Sequence, residues 1–321
     1  MNATQSAAAG WRLALSVSES PDLDVLGLFE DDDKRMLGTI LTPLVYRGAA
    51  IAYGGRIEPA SSTNFTQEIS TQLAEAYRHL NSEPGGRPFI HYLRDNDARS
   101  EGAANLLAHA LRLGSYSEIR LLRGEVTAAT LLPSGRIVDV YAGGESVGAM
   151  RKPEELMEVP QIAELFAGPT GRDELADMRA AMARETDARI IYGGRVTKAS
   201  KGISGIAAEA LATLAVAKPL LVIGGLGGAS RDVASMLGLI DDAERVVRDD
   251  SAYQDSDGKP SKDRYWTHME QLRALAPDYR SMLEKNNLLD DARQLAVSDS
   301  QAEVGSLVVA MLSKLLPSGN G

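Results

Sequence analysis

Short apolar runs and longer amphipathic segments alternate along the first 240 residues of the chain. Such runs are typical of buried strands, and apolar residues spaced three and four apart are typical of helices. Strands that alternate with helices usually lie parallel in one sheet, so the pattern predicts the α/β class. The predicted strands are 13–17, 49–53, 89–93, 118–122, 188–192 and 219–223, and the predicted helices are 33–47, 66–80, 102–113, 172–185, 206–217 and 230–237.

Two parts of the chain depart from this alternation. Residues 123–171 contain weaker strand signals and clusters of glycine or proline, which favours an insertion or crossover inside the domain. Residues 241–263 are polar and acidic and are predicted to form a surface loop, whereas 266–283 and 303–316 have helical patterns. We therefore predict one domain over 1–240, with residues 241–321 as a loop and helices packed on it.

The composition limits the classes of ligand and partner. The chain has 321 residues, 44% of them hydrophobic, which is enough to bury a core. Its net charge of -10 gives no general attraction to duplex DNA or to an acidic membrane, so a phosphate must be held locally. The absence of cysteine and of a long apolar stretch predicts a soluble, cytoplasmic protein. The four histidines have no metal-ligand spacing, and we predict neither a metal nor another cofactor.

A glycine-rich turn between residues 192 and 211 is the strongest candidate for a binding site. A predicted strand ends there and a predicted helix begins, and the backbone N–H groups at a helix start attract anions. Glycine allows a ligand to approach the backbone closely. The spacing matches neither the dinucleotide fingerprint nor the P-loop, and close packing of helix on sheet is the alternative explanation. The candidate binding residues are Gly193, Gly194, Gly202, Ser204 and Gly205.

A second glycine-rich turn follows the predicted strand 219–223 and also leads into a helix. It is a second candidate cradle for phosphate or ribose, formed by Gly224, Gly225, Gly227 and Gly228. The carboxyl ends of parallel strands meet at one edge of a sheet, so both turns are expected there. Ser16 and Ser18 end the first strand and could bond phosphate oxygens, or could be ordinary turn residues.

The tetrapeptide Tyr-Gly-Gly-Arg ends two predicted strands, and its Gly-Gly-Arg residues are Gly54, Gly55 and Arg56 and then Gly193, Gly194 and Arg195. We predict that the two turns face each other and that both arginines bind phosphate. The alternative is an ordinary salt bridge with an acid such as Glu58 or Asp187.

Glu209 lies near the start of the predicted helix 206–217. A carboxylate there could interact favourably with the helix dipole or cap the helix with Ser204 or Gly205. It could also hold ribose hydroxyls, or stabilise the positive charge that develops on a ribose when the base leaves.

Five segments of the chain resemble the SLOG superfamily, in particular the SLOG domains associated with TIR and Sir2 effectors. They are 13–28 (LALSVSESPDLDVLGL), 51–57 (IAYGGRI), 190–196 (IIYGGRV), 202–211 (GISGIAAEAL) and 218–230 (KPLLVIGGLGGAS). The resemblance implies a Rossmann-like, doubly wound and mostly parallel sheet with helices on both faces, to which the helical patterns of 266–283 and 303–316 add a helical C-terminal extension. It also implies binding of a nucleotide or nucleotide-derived signal, such as an ADP-ribose derivative, in anti-phage defence, with a separate effector protein as partner.

The chain departs from the related lysine-decarboxylase-like phosphoribohydrolases at their motif P-G-G-x-G-T-x-x-E. The corresponding segment is 201–209 (KGISGIAAE), which keeps Glu209 but lacks the proline, one glycine and the threonine. Binding of a nucleotide is therefore the leading hypothesis, and cleavage of an N-glycosidic bond with Glu209 is the alternative. A third hypothesis is an oligomeric scaffold, and we expect a homo-oligomer.

Overall fold

The computed structural model describes residues 10–57, 65–79, 86–168, 173–196, 204–254 and 257–316. In these ranges nine strands form a single sheet with the order β7-β6-β5-β4-β3-β2-β1-β8-β9. The strands are β1 (Arg12–Ser18), β2 (Ala50–Gly54), β3 (Phe89–Arg94), β4 (Ser117–Arg123), β5 (Val126–Ser134), β6 (Ile137–Ala142), β7 (Glu145–Met150), β8 (Ala188–Gly193) and β9 (Leu220–Ile223).

The helices of the described ranges connect these strands and form a C-terminal group. They are α1 (Leu23–Leu26), α2 (Glu30–Tyr46), α3 (Phe65–Arg78), α4 (Asp95–Leu113), α5 (Pro153–Met157), α6 (Pro160–Phe166), α7 (Glu174–Glu185), α8 (Gly205–Ala215), α9 (Gly228–Met236), α10 (Lys262–Lys285), α11 (Leu289–Val297) and α12 (Gln301–Leu315). None of them has the length and apolarity that crossing a lipid bilayer requires.

Strand β1 lies between β2 and β8 and pairs in parallel with both. The chain winds from β1 outward through β2, β3 and β4, and it later returns to the other side of β1 for β8 and β9. The winding direction therefore reverses at β1, which is the topology of a doubly wound sheet. The predicted α/β fold is confirmed.

Helices cover both faces of the sheet because successive residues of a strand point to opposite faces. On one face, Leu13 and Leu15 of β1 belong to the same buried cluster as Leu37 of α2. On the other face, Ala14 of β1 belongs to a cluster with Met178 of α7. Apolar side chains on both sides explain why the central strands appear in the sequence as continuous apolar runs.

The segment predicted as an insertion or crossover extends the sheet. Strands β5, β6 and β7 form an antiparallel meander that begins beside β4, and helices α5 and α6 then pack against α4. Strand β7 is the edge strand, and its Ser146 and Val147 are exposed. An exposed edge strand needs little apolar alternation, which explains the weak signal.

Other boundaries differ from the sequence-based expectations. Helix α4 begins at Asp95 and continues past Gly102, whose φ of 80° and ψ of 162° interrupt the helix geometry. Helix α11 was not predicted. The polar segment 241–263 is a surface loop only in part, since Tyr253 is 3% exposed and the Arg248 side chain is 4% exposed.

The C-terminal helices pack on the sheet domain. Helix α12 lies against α2, α11 lies against β9, and α10 lies against α8 and α9. Their apolar residues, such as Met269, Leu295 and Val308, belong to the main core cluster.

Candidate functional site

The carboxyl ends of β1 and β8 meet at the point where the winding direction reverses. The Gly194 amide donates a hydrogen bond to the Ser18 carbonyl oxygen at 2.8 Å, and the Arg195 amide donates one to Ser18 Oγ at 3.2 Å. Ser18 and the Gly-Gly-Arg turn of β8 are therefore in direct contact. In doubly wound sheets, ligands bind in the crevice outside this edge.

Close packing requires a glycine at position 193. Gly193 has a φ of 64°, and a Cβ atom there would lie 2.5 Å from the Ser18 carbonyl oxygen. The predicted alternative, that glycine allows close packing, therefore accounts for Gly193 without a ligand.

Arg195 forms an exposed ion pair. Its Nη2 lies 2.5 Å from Glu19 Oε2, and the two side chains are 43% and 35% exposed. Of the acids named from sequence, Asp187 instead accepts a hydrogen bond from the Arg12 amide, and Glu58 lies outside the described residues. Arg195 remains at the edge of the crevice, where an anionic ligand could compete with Glu19.

The Gly-Gly-Arg turn of β2 flanks β1 on the other side. A Cβ atom on Gly54 would lie 2.7 Å from the Met178 side chain, and one on Gly55 would lie 2.6 Å from Thr66 Oγ1. The Arg56 carbonyl oxygen accepts a hydrogen bond from the same Thr66 hydroxyl, while the Arg56 side chain is exposed. The two Tyr-Gly-Gly-Arg turns thus end the two strands adjacent to β1.

The second predicted cradle is occupied by the protein itself. Asp22, in the turn after β1, accepts a hydrogen bond from the Gly228 amide at 2.6 Å. A carboxylate at this helix start provides the negative charge that a phosphate would bring. Arg248 Nε and Nη2 hold the two oxygens of Asp22, both at 2.6 Å.

The Arg248 guanidinium also binds Asp232, at 2.7 Å, and Tyr265 donates a hydrogen bond to the same Asp232 oxygen. Burial opposes the charge of Arg248, but the hydrogen bonds to Asp22 and the charges of both carboxylates raise its pKa. This buried network anchors the segment around Arg248 to α9.

The remaining glycines of this turn also pack closely against other parts of the protein. A Cβ atom on Gly224 would lie 2.2 Å from the Ala296 carbonyl oxygen, and one on Gly225 would lie 1.9 Å from that of Ser298. A Cβ atom on Gly227 would lie 2.7 Å from Asp22. The four glycines of this turn therefore allow close packing in this conformation. The evidence for an anion site is stronger at the first turn of α8.

Helix α8 begins at the first predicted cradle. Ser204 is its N-cap residue and is 1% exposed, and a Cβ atom on Gly205 would lie 3.5 Å from Arg179 Nη2. Gly202 lies outside the described residues. An arginine from α7 is thus close to the first turn of α8, a feature that the sequence pattern did not indicate.

Glu209 forms ion pairs with two arginines beneath this turn. Its Oε2 lies 3.1 Å from Arg189 Nη1, and its Oε1 lies 3.7 Å from Arg179 Nε. The Arg189 side chain is fully buried and also donates hydrogen bonds to Ser16 Oγ and Thr213 Oγ1, both at 2.7 Å. Ser16 was predicted to bind phosphate, but in this structure its hydroxyl oxygen accepts a hydrogen bond from Arg189. The arginine within the otherwise apolar run 188–192 is the sequence feature from which a buried ion pair could have been predicted.

This cluster contains more donors than the protein uses. Within the described part of the chain, Arg179 Nε, Arg189 Nη2 and Ser204 Oγ are buried without a hydrogen-bond partner. Burial lowers the pKa of Arg189, Glu209 opposes this effect, and Arg179 adds to it. Two guanidinium groups thus face one carboxylate beside a helix N-terminus, an arrangement that favours an added negative charge.

A cleft of about 210 Å³ lies beside this edge, between the turn after β1 and the starts of α2 and α3. Most of its charged lining residues are acidic: the cleft is lined by Glu19, Ser20, Pro21, Leu23, Asp24, Asp33, Lys34 and Phe65. Carboxylates accept hydrogen bonds from sugar hydroxyls, so this lining suits a ribose better than a phosphate.

A buried histidine, His91, contacts the β2 turn and pairs with a second buried histidine, His109. His91 Nε2 lies 3.0 Å from the Gly55 carbonyl oxygen, His91 Nδ1 lies 2.9 Å from His109 Nε2, and His109 Nδ1 lies 3.0 Å from Arg112 Nη2. Since Arg112 and the carbonyl have fixed roles, each histidine donates through Nε2 and accepts through Nδ1. Within the described ranges, no group of three or more His, Asp or Glu residues could hold a metal ion.

The fold and its glycine-rich carboxyl edge define a doubly wound, Rossmann-like α/β protein. A family model described as SLOG cluster2 matches residues 7–259, and the chain belongs to this family. The resemblance predicted from sequence is thereby confirmed. No curated protein and no solved structure matches the chain significantly.

Proposed function

We propose that this protein binds a nucleotide or a nucleotide-derived signal, such as an ADP-ribose derivative, at the carboxyl edge around β1 and β8. The observation that carries the proposal is a set of buried donors without a hydrogen-bond partner, on Ser204 at the start of α8 and on Arg179 and Arg189 beside Glu209 in its second turn. Donors that lack a partner in a buried site favour a ligand that accepts hydrogen bonds. Membership in the SLOG family suggests nucleotide-related binding or processing.

The two parts of a nucleotide suit two parts of this edge. An anionic group would bind at the first turn of α8, beside Arg179, and Arg195 would bind a further phosphate oxygen. The ribose hydroxyls would donate hydrogen bonds to the acidic cleft that Asp24 and Asp33 line. This division explains how a chain with a net charge of -10 could hold a phosphate.

Binding without cleavage is the form of the proposal that the surroundings of Glu209 favour. A carboxylate that stabilises an oxocarbenium ion must direct its charge at the ribose. Both oxygens of Glu209 are instead paired with arginines, at 3.1 and 3.7 Å. The alternative, an N-glycosidase that uses Glu209, requires the ligand to displace one of these arginines.

One experiment separates binding, cleavage and a scaffold role. The protein is incubated with AMP, ADP, NAD, ADP-ribose and cyclic nucleotides, and with the corresponding nucleosides, and is then analysed by thermal shift and by chromatography for released base. We expect phosphorylated ligands to raise the melting temperature and nucleosides to do so weakly. A ligand at 100 times its Kd adds about 2.7 kcal/mol.

The outcomes have distinct meanings. Release of free base by the wild-type protein would establish the glycosidase alternative. If no compound shifts the melting temperature and no base is released, the nucleotide proposal is wrong.

We further propose a sensing role in anti-phage defence, in the cytoplasm, with a homo-oligomer of this chain acting on a separate effector protein. The support is the resemblance of the motif segments to SLOG domains associated with TIR and Sir2 effectors. Co-purification from cells with and without phage infection, followed by mass spectrometry, tests it. Recovery of the protein without a second protein under both conditions would contradict the proposal that it acts on an effector.

A further inference from the structure

Helix α10 borders the candidate site although it lies beyond the part of the chain that the family model matches. That match ends at residue 259, and α10 covers Lys262–Lys285. The helix packs against α8 and α9, with Tyr265, Met269 and Leu272 buried. A helix outside the matched region is therefore packed directly against α8.

His268 lies on the packed side of α10, three residues after Tyr265. Its Nε2 atom is buried and, in the described part of the structure, has no hydrogen-bond partner. Burial lowers the pKa of His268, and the charge of Arg179 lowers it further, so the imidazole is neutral near pH 7. A neutral imidazole can donate through one nitrogen and accept through the other.

The unpartnered atom of His268 is one of a group around α8. Arg179 lies on α7, Arg189 on β8 and Ser204 at the start of α8, and each has a buried polar atom without a hydrogen-bond partner among the described residues. Helices α7 and α10 both pack on α8. Such atoms also occur elsewhere in the described residues, for example on Thr127, but a group of four around one helix indicates a position that a ligand completes.

We propose that His268 is a ligand-contacting residue, and that its Nε2 hydrogen-bonds the nucleotide held at the first turn of α8. This inference rests on the proposed function. It assigns part of the binding specificity to the C-terminal extension, so chains that share the matched region but differ in this helix would select different nucleotides.

Isothermal titration calorimetry with AMP, ADP and ADP-ribose tests the inference in the full-length protein. His268→Leu removes the polar atom at similar volume, and we expect its Kd to rise roughly five- to tenfold, the scale of one hydrogen bond. The melting temperature of the free protein should stay unchanged or rise, because the substitution removes a buried unpaired polar group. His79→Leu replaces an exposed histidine in the turn after α3 and is the matched control.

Two further variants address folding. The side-chain amide nitrogen of His268→Gln can occupy the position of Nε2, whereas His268→Asn is too short. We expect His268→Gln to retain most of the affinity and His268→Asn to lose it. This comparison tests the proposal even if His268→Leu does not fold.

The results distinguish this inference from the proposal on which it rests. If the wild-type protein binds neither these three nucleotides nor NAD nor the cyclic nucleotides, both are wrong. If it binds and His268→Leu binds equally well, or the Gln and Asn variants have equal affinity, only the role of His268 is wrong. A lower melting temperature with unchanged Kd would assign His268 to packing.

Discussion

A fully buried arginine, Arg189, depends on a carboxylate that is 20% exposed, Glu209. Removing the charge of Glu209 leaves the buried guanidinium poorly compensated. We expect Glu209→Gln to lower the free energy of unfolding by about 1–3 kcal/mol, measured by urea denaturation. Glu270→Gln, which disrupts an exposed pair with Arg273, should change it by at most about 1 kcal/mol.

The same variant tests catalysis. If Glu209 stabilises an oxocarbenium ion, base release should fall by roughly 100-fold, equivalent to about 2.7 kcal/mol of barrier. Equal stability of Glu209→Gln and the wild-type protein would contradict the structural role.

Arg195 offers the opposite case, because its ion pair with Glu19 is exposed. Such pairs contribute about 0–1 kcal/mol to stability, so Arg195→Ala should fold normally. If Arg195 binds phosphate, calorimetry should show an affinity loss of about 1.5–3 kcal/mol, the scale of a charge-assisted hydrogen bond. Arg293→Ala, which removes an exposed pair with Asp290, is the control. Unchanged affinity would assign Arg195 to the surface pair with Glu19.

The His91–His109 pair predicts sensitivity to acid. Burial lowers the pKa of His91 to about 4 and lowers that of His109 as well, while an unfolded histidine has a pKa near 6.5. The unfolded chain therefore binds more protons between about pH 4 and 6.5, and the stability falls as the pH falls through this window. Urea denaturation at pH 7.5, 6.5 and 5.5 measures the loss. In a variant with Asn at both positions the loss should be smaller, and an equal loss would exclude the pair as its cause.

Residue partnerships across the fold could not be predicted from the sequence. The pattern of apolar positions indicated that residues 188–192 form a buried strand, yet it could not show that Arg189 pairs with Ser16, 173 residues away. The ion pair between Asp22 and Arg248, which are 226 residues apart, could not be predicted for the same reason. Hydrophobic periodicity reports which side of an element is buried, and it carries no information about which charged groups meet there.

At the scale of elements, the turn after β9 fits against the segment that follows α11. A Cβ atom on Gly225 would lie 1.9 Å from the Ser298 carbonyl oxygen, which belongs to backbone and cannot rotate away. We expect Gly225→Ala to lower stability by about 1–3 kcal/mol, measured by thermal and urea denaturation.

Gly205→Ala is the matched control for Gly225→Ala. Its new Cβ would lie 3.5 Å from a flexible arginine side chain, which is an ordinary contact, so its stability should change little. Equal effects of the two substitutions would show that the close approach at Gly225 is not rigid.

How well the sequence predicted each strand depends on how deeply that strand is buried. Strands β8 and β9 are buried at every residue, and their apolar runs were recognised to within one residue of their bounds. Strand β7, with exposed Glu145, Ser146 and Val147, gave little pattern. Helix α4 was predicted over 102–113 only; the chain is already helical from Asp95, and the non-helical φ and ψ of Gly102 separate the two helical stretches.

At the scale of the molecule, the C-terminal helices supply core that the matched region lacks. Leu272, Leu295 and Met311 are fully buried in the main cluster. A chain that ends at residue 259 would expose β9 and the outer sides of α2, α8 and α9. We expect it to aggregate or to unfold without cooperativity, as measured by gel filtration and circular dichroism. A monodisperse, cooperatively folding product would show that residues 7–259 form an independent unit.

The order of strands could not be derived from periodicity alone, because alternating strands and helices are compatible with several orders. The resemblance to the SLOG superfamily supplied the doubly wound topology, which the sheet confirms. The part of the edge that carries Gly202 lies outside the described residues, so its predicted role stays a prediction.

The central position of β1 has a consequence for synthesis on the ribosome. Its Leu13 pairs with Ala188, 175 residues later, so one side of β1 stays unpaired until β8 emerges. At 5–20 residues per second this delay is roughly 9 to 35 s. A chain that terminates before β8 would lack half of the crevice and the first turn of α8. If the proposed function is right, such a chain could bind no ligand at this edge.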